Sequence, residues 1–191
     1  MKLVFATHNT NKFKEVKLLM PKNIELYSLN MIGCKDEIPE TGNTLEENAQ
    51  IKADFVTKNF GLPCFSDDTG LLVDALNGAP GVHTARYAGE QKNTEDNMKK
   101  LLENLKLAQS RNAHFKTVIA LNTSATNHIF KGIIEGRISE KKQGTKGFGY
   151  DPIFIPNGYD QTFAELALEV KNTISHRAKA IKQLINYLSK L

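Results

Sequence analysis

The sequence predicts an α/β fold built on a mixed sheet, and three observations carry that prediction. Apolar strands and amphipathic helices alternate early in the chain, adjacent strands follow one another later, and the last segment repeats apolar residues at steps of four and three. Strand–helix alternation gives parallel neighbours and adjacent strands give antiparallel ones, so the sheet is mixed and not an all-parallel doubly wound one. The chain of 191 residues is long enough for one domain, or one domain with two lobes, and for a substantial core. Its 40% hydrophobic and 24% charged residues exclude a disordered or collagen-like chain, and two Cys exclude a disulfide-stapled miniprotein.

The elements follow in order. Lys2 to Ala6 reads as a buried strand, Thr7 to Asn11 as a polar turn, and a helix starts at Lys12 with Phe13, Val16 and Leu19 or Met20 on one face. Ile24 to Leu29 alternates like a second strand. Thr44-Leu45-Glu46-Glu47 is a capping box, and the helix it opens carries Leu45, Ala49, Ala53 and Val56 and runs to about Asn59. Pro63 to Ser66 and Leu71 to Ala75 read as two short strands around Asp67-Asp68-Thr69-Gly70, a hairpin or sharp corner. Asn77 to Gly81 is a turn cluster, and Asn93 to Leu107 a helix with Met98, Leu101, Leu102 and Leu105 inside. Phe115 to Leu121 and Ile129 to Ile138 read as antiparallel neighbours across a polar turn at Asn122 to Asn127. Gly144 to Tyr150 is a glycine-rich loop, and Pro152 to Ile155 a short strand. One final helix is expected to hold Ile174, Ala178, Ile181, Ile185 and Leu188 on a single stripe.

Charge and compartment narrow the classes. A net charge of +4 suits an anionic substrate but is too small for a surface that coats nucleic acid. The apolar start Leu3 to Ala6 is too short for a signal peptide, and no apolar run approaches a membrane span. Cys34 and Cys64 have no CxxC partner and read as reduced thiols of a cytosolic protein, with a single disulfide between them as the alternative. Neither a nucleic-acid nor a membrane partner is expected.

Four segments carry candidate chemistry. Thr7 to Lys12 places backbone N–H groups and a helix N-terminus at one point, with His8, Lys12 and the side chains of Thr7, Asn9 and Asn11, a phosphate-shaped arrangement without a Walker loop; the alternative is an ordinary turn in which an Asn caps the helix. Glu40, Glu47, Asp67, Asp68 and Asp74 offer hard oxygen ligands for Mg²⁺, which takes one or two carboxylates and completes its shell with water and phosphate. If the chain stays extended, Asp67 and Asp68 cannot point the same way. Gly147-Phe148-Gly149-Tyr150-Asp151-Pro152 allows close backbone approach to a flat ligand, with Phe148 or Tyr150 to stack on it, or else buries its aromatics as core. Ser175-His176-Arg177 puts cations at a helix N-terminus, an odd choice unless an acceptor-rich ligand or a carboxylate sits there. Together these are the parts of a nucleotide site.

Ordered blocks along nearly the whole chain resemble the inosine triphosphate pyrophosphatase family, most closely its bacterial branch. They are Thr7 to Lys12, Glu40-Thr41-Gly42, Glu47-Asn48-Ala49 with Lys52-Ala53, Ser66 to Leu71, Gly78 to Gly81, Ala85 to Gly89, Gly147 to Pro152, Ala164 to Leu166, and Lys171-Asn172 leading into Ser175-His176-Arg177. The resemblance implies an elongated mixed sheet with flanking helices, in a single domain of two lobes around an active-site cleft, and a cytoplasmic homodimer. It implies a Mg²⁺-dependent hydrolysis of non-standard purine triphosphates (ITP, dITP and XTP) to the monophosphate and pyrophosphate. Asp68 would be the catalytic carboxylate and a metal ligand, with Glu40 the second ligand. Thr7, His8, Asn9, Thr10, Asn11 and Lys12 would hold the triphosphate and Thr69 would contact the nucleotide; in the mechanism this suggests, the first-turn N–H groups and Lys12, joined by Lys52, hold the leaving pyrophosphate. Phe148, Gly149, Tyr150, Asp151, Lys171, His176 and Arg177 would form base and phosphate contacts. This chain departs from many relatives at His8, where Gly is common, and at Thr69, where Ser is common.

Overall fold

The computed structural model describes residues 1–123 and 127–190. In chain order the strands and α-helices are β1 (Lys2–Phe5), α1 (Thr10–Leu19), β2 (Glu25–Ser28), α2 (Leu45–Phe60), β3 (Cys64–Val73), β4 (Pro80–Gly81), α3 (Thr94–Asn104), β5 (Asn112–Asn122), β6 (Asn127–Ile138), β7 (Phe154–Pro156), α4 (Leu168–Ile174) and α5 (His176–Leu188). The strands form a seven-stranded sheet in the order β2-β1-β3-β5-β6-β7, with β4 paired to β3. β1 runs parallel to β2 and to β3, whereas β4 pairs antiparallel with β3 and β7 antiparallel with β6. The mixed sheet with flanking helices is therefore as the sequence predicts. Residues 124–126 of the turn read at Asn122 to Asn127 lie outside the described residues.

Four local expectations are corrected. The hairpin expected at Asp67 to Gly70 is absent: β3 runs unbroken through it from Cys64 to Val73. Turn propensity at Asp-Asp-Thr-Gly is overridden because β3 is held in the sheet on either side of it, by β1 at Cys64 and Phe65 and by β4 at Leu71 and Leu72, and its carboxylates find cations. The single final helix is two helices, separated at Ser175, which is extended at φ −65° and ψ 157°. Ile174 thus leaves the stripe it was assigned to. The turn cluster at Asn77 to Gly81 contains β4, and the strand expected from Pro152 starts at Phe154, after a 3₁₀ turn at Asp151–Ile153.

The chain divides into two compact units. One comprises the described parts of Met1–Asp68, Thr117–Gly132 and His176–Leu191. It has two apolar clusters: Leu3, Phe5, Val16, Phe65, Ile119, Leu121, Ile181 and Leu184 in the first, and Val4, Ala6, Leu29, Cys34, Val56 and Cys64 in the second. β1 serves both because alternate side chains leave opposite faces of a strand. Phe5 and Phe65 stack across the β1–β3 pair, with ring centroids 4.6 Å apart. Cys34 and Cys64 are free thiols, and burial pushes the Cys64 pKa up.

The other unit comprises Thr69–Lys116 and Ile133–Ser175. Its core gathers Leu71, Val73, Met98, Leu101, Leu105, Phe115, Ile138, Ile153, Phe154 and Phe163, with Ile174 packed against it. The residue read as continuing the α5 stripe therefore serves a different core. Among the described residues no helix is long and apolar enough to cross a membrane.

Candidate active site

In the first unit, β1 delivers the chain to the turn at Thr7, and α1 begins at Thr10. Asn9 is the N-cap: its side chain accepts from Asn11 N at 3.0 Å and Lys12 N at 3.1 Å, and Thr7 Oγ1 accepts from Asn9 N at 3.1 Å. Some of the N–H groups read as a phosphate cradle are thus bonded within the turn. Thr10 and Asn11 are exposed at the helix start. His8 is engaged at both ring nitrogens, Nδ1 with Asn30 Oδ1 and Nε2 with Asp36 O, each at 2.9 Å.

The unbroken β3 decides the geometry of the two aspartates. Successive side chains of an extended strand leave opposite faces. Asp67, 2% exposed, accepts from Lys12 Nζ at 2.8 Å and Arg177 Nε at 3.2 Å. Asp68 lies 3.8 Å from Lys52 Nζ, which also bonds Glu40 Oε1 at 2.5 Å. So Lys12 and Arg177 bond Asp67, while Lys52 gathers Asp68 and Glu40.

These partners divide the carboxylates electrically. Burial works to raise the Asp67 pKa, but Lys12, Arg177 and Lys52 outweigh it and hold the carboxyl well below its ordinary value. Burial raises the Asp68 pKa, Glu40 and Asp67 add to the rise, and Lys52 and Lys12 offset it only in part. Glu40 ends below its ordinary value, because Lys52 outweighs the burial that opposes it. Burial would lower the Lys52 pKa, yet Asp68 and Glu40 raise it, so the ammonium stays charged. Asp67 is thereby a fixed anion, and Asp68 the carboxylate poised to take a proton.

The other acidic candidates are elsewhere employed. Glu47 closes the capping box: Oε2 accepts from Asn43 N at 2.6 Å and Thr44 N at 3.2 Å, while Thr44 Oγ1 accepts from Glu47 N. Asp74 is exposed in the 3₁₀ turn after β3.

Among the described residues no group of three or more His, Cys, Asp or Glu side chains is arranged to hold a metal. Mg²⁺ does not need one, since one or two carboxylates with substrate phosphates suffice. Glu40 and Asp68, joined through Lys52, are a donor set that fits it.

His176 and Arg177 open α5 and are buried, each 3% exposed, so they are not a solvated surface pair. Arg177 Nη1 bonds Glu15 Oε2 at 2.7 Å beside its bond to Asp67. A carboxylate does stand at this helix N-terminus. Sequence reasoning missed Glu15; the signal was a carboxylate next to Val16 on the apolar side of α1. Sequence reasoning places Asn48 within a motif block but gives it no role; Asn48 is fully buried on α2 one turn before Lys52, and its Oδ1 accepts from Gly42 N at 2.8 Å.

In the second unit the glycine-rich loop is tied by Asp151. Its Oδ2 accepts from Phe148 N at 2.8 Å and Lys171 Nζ at 2.6 Å. Gly147 has φ +77°, and a Cβ there would collide with the Asp151 carboxylate, so glycine is required on both counts. Lys171, 4% exposed, stands over the half-buried Phe148 ring at 5.0 Å from its centroid. Tyr150 belongs to the core of this unit, and its hydroxyl donates to Thr84 O at 3.0 Å. Gly149 has φ +62° and open space where a side chain would stand. Thr69 lies on β3, half-buried.

Comparison with known proteins bears out the resemblance. The model of the Ham1 family matches residues 3–187. A protein of Christiangramia forsetii named dITP/XTP pyrophosphatase is 60% identical over 190 residues, covering 100% of both chains. A protein of the same name from Flavobacterium johnsoniae is 58% identical, over 99% of this chain and 98% of its own. The solved structure of the Staphylococcus aureus Ham1 protein superposes with a TM-score of 0.91 at 39% identity, over 100% of this chain and 99% of that one.

Proposed function

The chain belongs to the Ham1 family, and on that premise we propose that it is a nucleoside-triphosphate pyrophosphatase acting on dITP, XTP and ITP, yielding the monophosphate and pyrophosphate. The observation that carries this reading is the Glu40–Lys52–Asp68 cluster, in which one carboxylate is held anionic and the other has its pKa raised.

Asp68 and Glu40 would hold Mg²⁺, whose chemistry is to neutralise charge on the phosphate oxygens. Asp68 orients a water and takes its proton as the water oxygen bonds to the α-phosphorus. The bond from that phosphorus to the bridging oxygen breaks, and the electron pair leaves with pyrophosphate. Lys52 and Lys12 stabilise the negative charge that departs. Thr7, Asn9, Thr10 and Asn11 are proposed to line the triphosphate, and Thr69 to contact the nucleotide. Phe148, Gly149, Lys171 and His176 are proposed for the base, where a purine bearing oxygen at C6 meets donors that the amino group of ATP would oppose. Asp151 supports Phe148 and Lys171, and Arg177 supports Asp67. A cytoplasmic homodimer is part of the same proposal, and sedimentation equilibrium at twice the chain mass checks the assembly.

The deciding experiment measures pyrophosphate released from dITP, XTP, ITP, GTP and ATP with and without Mg²⁺. The expected result is Mg²⁺-dependent release from the first three far above the last two. Orthophosphate as the product, or equal turnover of ATP, overturns the proposal.

A further inference from the structure

Residues 35–43 carry Glu40 from the 3₁₀ turn at Asn30–Ile32 to the cap of α2 without forming helix or strand. A carboxylate on such a segment is placed only as well as the segment is held. At its near end, buried Cys34 anchors in the apolar cluster of Val4, Val56 and Cys64, and Ile38 packs against the same cluster. His8 then reaches across from the turn after β1. The Asp36 carbonyl can only accept, so Nε2 donates to it at 2.9 Å, while Nδ1 meets the Asn30 side-chain amide at 2.9 Å. At the far end Asn48 Oδ1 accepts from Gly42 N at 2.8 Å. A Cβ on Gly42 would stand 2.6 Å from Glu47 Cβ and 2.8 Å from Asn48 Oδ1, so only glycine lets the segment lie this close to α2. Asn48 and Lys52 are one turn apart on the buried face of α2. One holds the backbone two residues after Glu40, and the other holds the Glu40 carboxylate itself.

We propose that His8 and Asn48 are positioning residues that pin the 35–43 segment as a strap and thereby set where the Glu40 carboxylate stands. This gives His8 a part different from substrate contact, since its ring nitrogens are spent on Asn30 and Asp36. It joins the phosphate-side turn to the metal-side segment in one rigid unit. The proposal rests on the pyrophosphatase reading for its catalytic consequence, but not for the pinning.

Two measurements test it. The first is amide hydrogen exchange on the metal-free, substrate-free protein. His8→Ala should speed exchange of the Gly33 and Cys34 amides, whose bonds to Asn30 O and Leu29 O close the turn that His8 ties to Asp36, and Asn48→Ala should speed the Gly42 amide, each by about 10-fold or more, with Leu3 in β1 unchanged. Unchanged exchange in His8→Ala, which removes a half-exposed side chain and leaves the core intact, overturns the pinning. The second is a double-mutant cycle with Glu40→Gln, read as kcat/KM for dITP and as the Mg²⁺ concentration giving half-maximal rate. Supporting-shell replacements cost about 10- to 100-fold in metal affinity or activity. His8→Ala should therefore lower kcat/KM about 10-fold in the parent and raise the Mg²⁺ requirement similarly, but change the Glu40→Gln protein by less than about 2-fold. Equal losses in both backgrounds mean His8 acts on the substrate directly and overturn the proposal. If the parent releases no pyrophosphate from dITP, the functional reading fails alone, and the exchange measurement still decides the strap.

Discussion

Arg177 offers the sharpest test of how the first unit holds its charges. The perturbation is Arg177→Met, which keeps a long side chain at the position but removes the guanidinium from two carboxylates. Nη1 stands 2.7 Å from Glu15 Oε2 and Nε 3.2 Å from Asp67 Oδ2, with Arg177 and Asp67 side chains 3% and 2% exposed. Removing one member of a buried pair costs about 3–5 kcal/mol. Asp67 keeps Lys12 at 2.8 Å, so the lower end, near ~3 kcal/mol, is expected. At roughly 2–4 °C per kcal/mol for a chain of this size, Tm should fall by about 6–12 °C. Asp67→Asn in the same background should cost less than it does alone, with a coupling of about 1–3 kcal/mol, because its carboxylate has already lost one cation. Circular dichroism melts of the two single variants and the double variant at pH 7 give the numbers. The pH dependence supplies a sign check. Asp67 has its folded pKa depressed, so its contribution is present above its unfolded value of 3.8 and is lost as pH falls through the folded value. In Arg177→Met the folded value rises toward the unfolded one, so that loss should be smaller and complete at a higher pH. A Tm within about 1 °C of the parent, or strictly additive variants, would refute the network as a source of stability.

Other perturbations separate roles. Asp68→Asn should abolish pyrophosphate release yet raise Tm at pH 7. The raised folded pKa of Asp68 means its ionisation costs stability as pH rises from the unfolded value through the folded one, and the amide removes that cost; an unchanged or lower Tm counts against the assignment. The parent's kcat/KM should fall on acidification with an apparent pKa above the ordinary carboxylate value of 3.8, since protonation removes both a base and a metal ligand; a profile flat down to that value contradicts it. In the second unit, Lys171→Met should destabilise by about 3–5 kcal/mol by leaving Asp151 buried without its cation, and addition of Asp151→Asn should recover part of that, which urea titration reads directly.

Much of the site was legible because it is local. The Thr44/Glu47 capping box and the Asn9 cap follow from spacing alone, since both partners lie within one helical turn. The alternation argument for Asp67 and Asp68 was also available, but its premise, an extended chain, was not. Asp-Asp-Thr-Gly favours a turn in isolation, and pairing of β3 with β1, β4 and β5, together with cations from α1, α2 and α5, keeps it straight. The break at Ser175 was hidden for a related reason. Ile174 and Ala178 are spaced as one stripe, yet Ile174 packs in the core of one unit and α5 builds the other.

The sequence by itself determined the fold class and the family, and put forward the residues of the proposed site, because periodicity, capping and ordered motifs act over a few residues at a time. The tertiary structure decided which aspartate is held anionic and which has its pKa raised. Asp67 and Asp68 are neighbours of the same type, and no local rule distinguishes them. Arg177 reaches Asp67 and Glu15 across 110 and 162 residues of sequence, and Lys52 reaches Glu40 across 12. Those placements depress one aspartate's pKa and leave its neighbour's raised, since a buried carboxylate's proton affinity depends on the cations that the fold brings within a few ångströms.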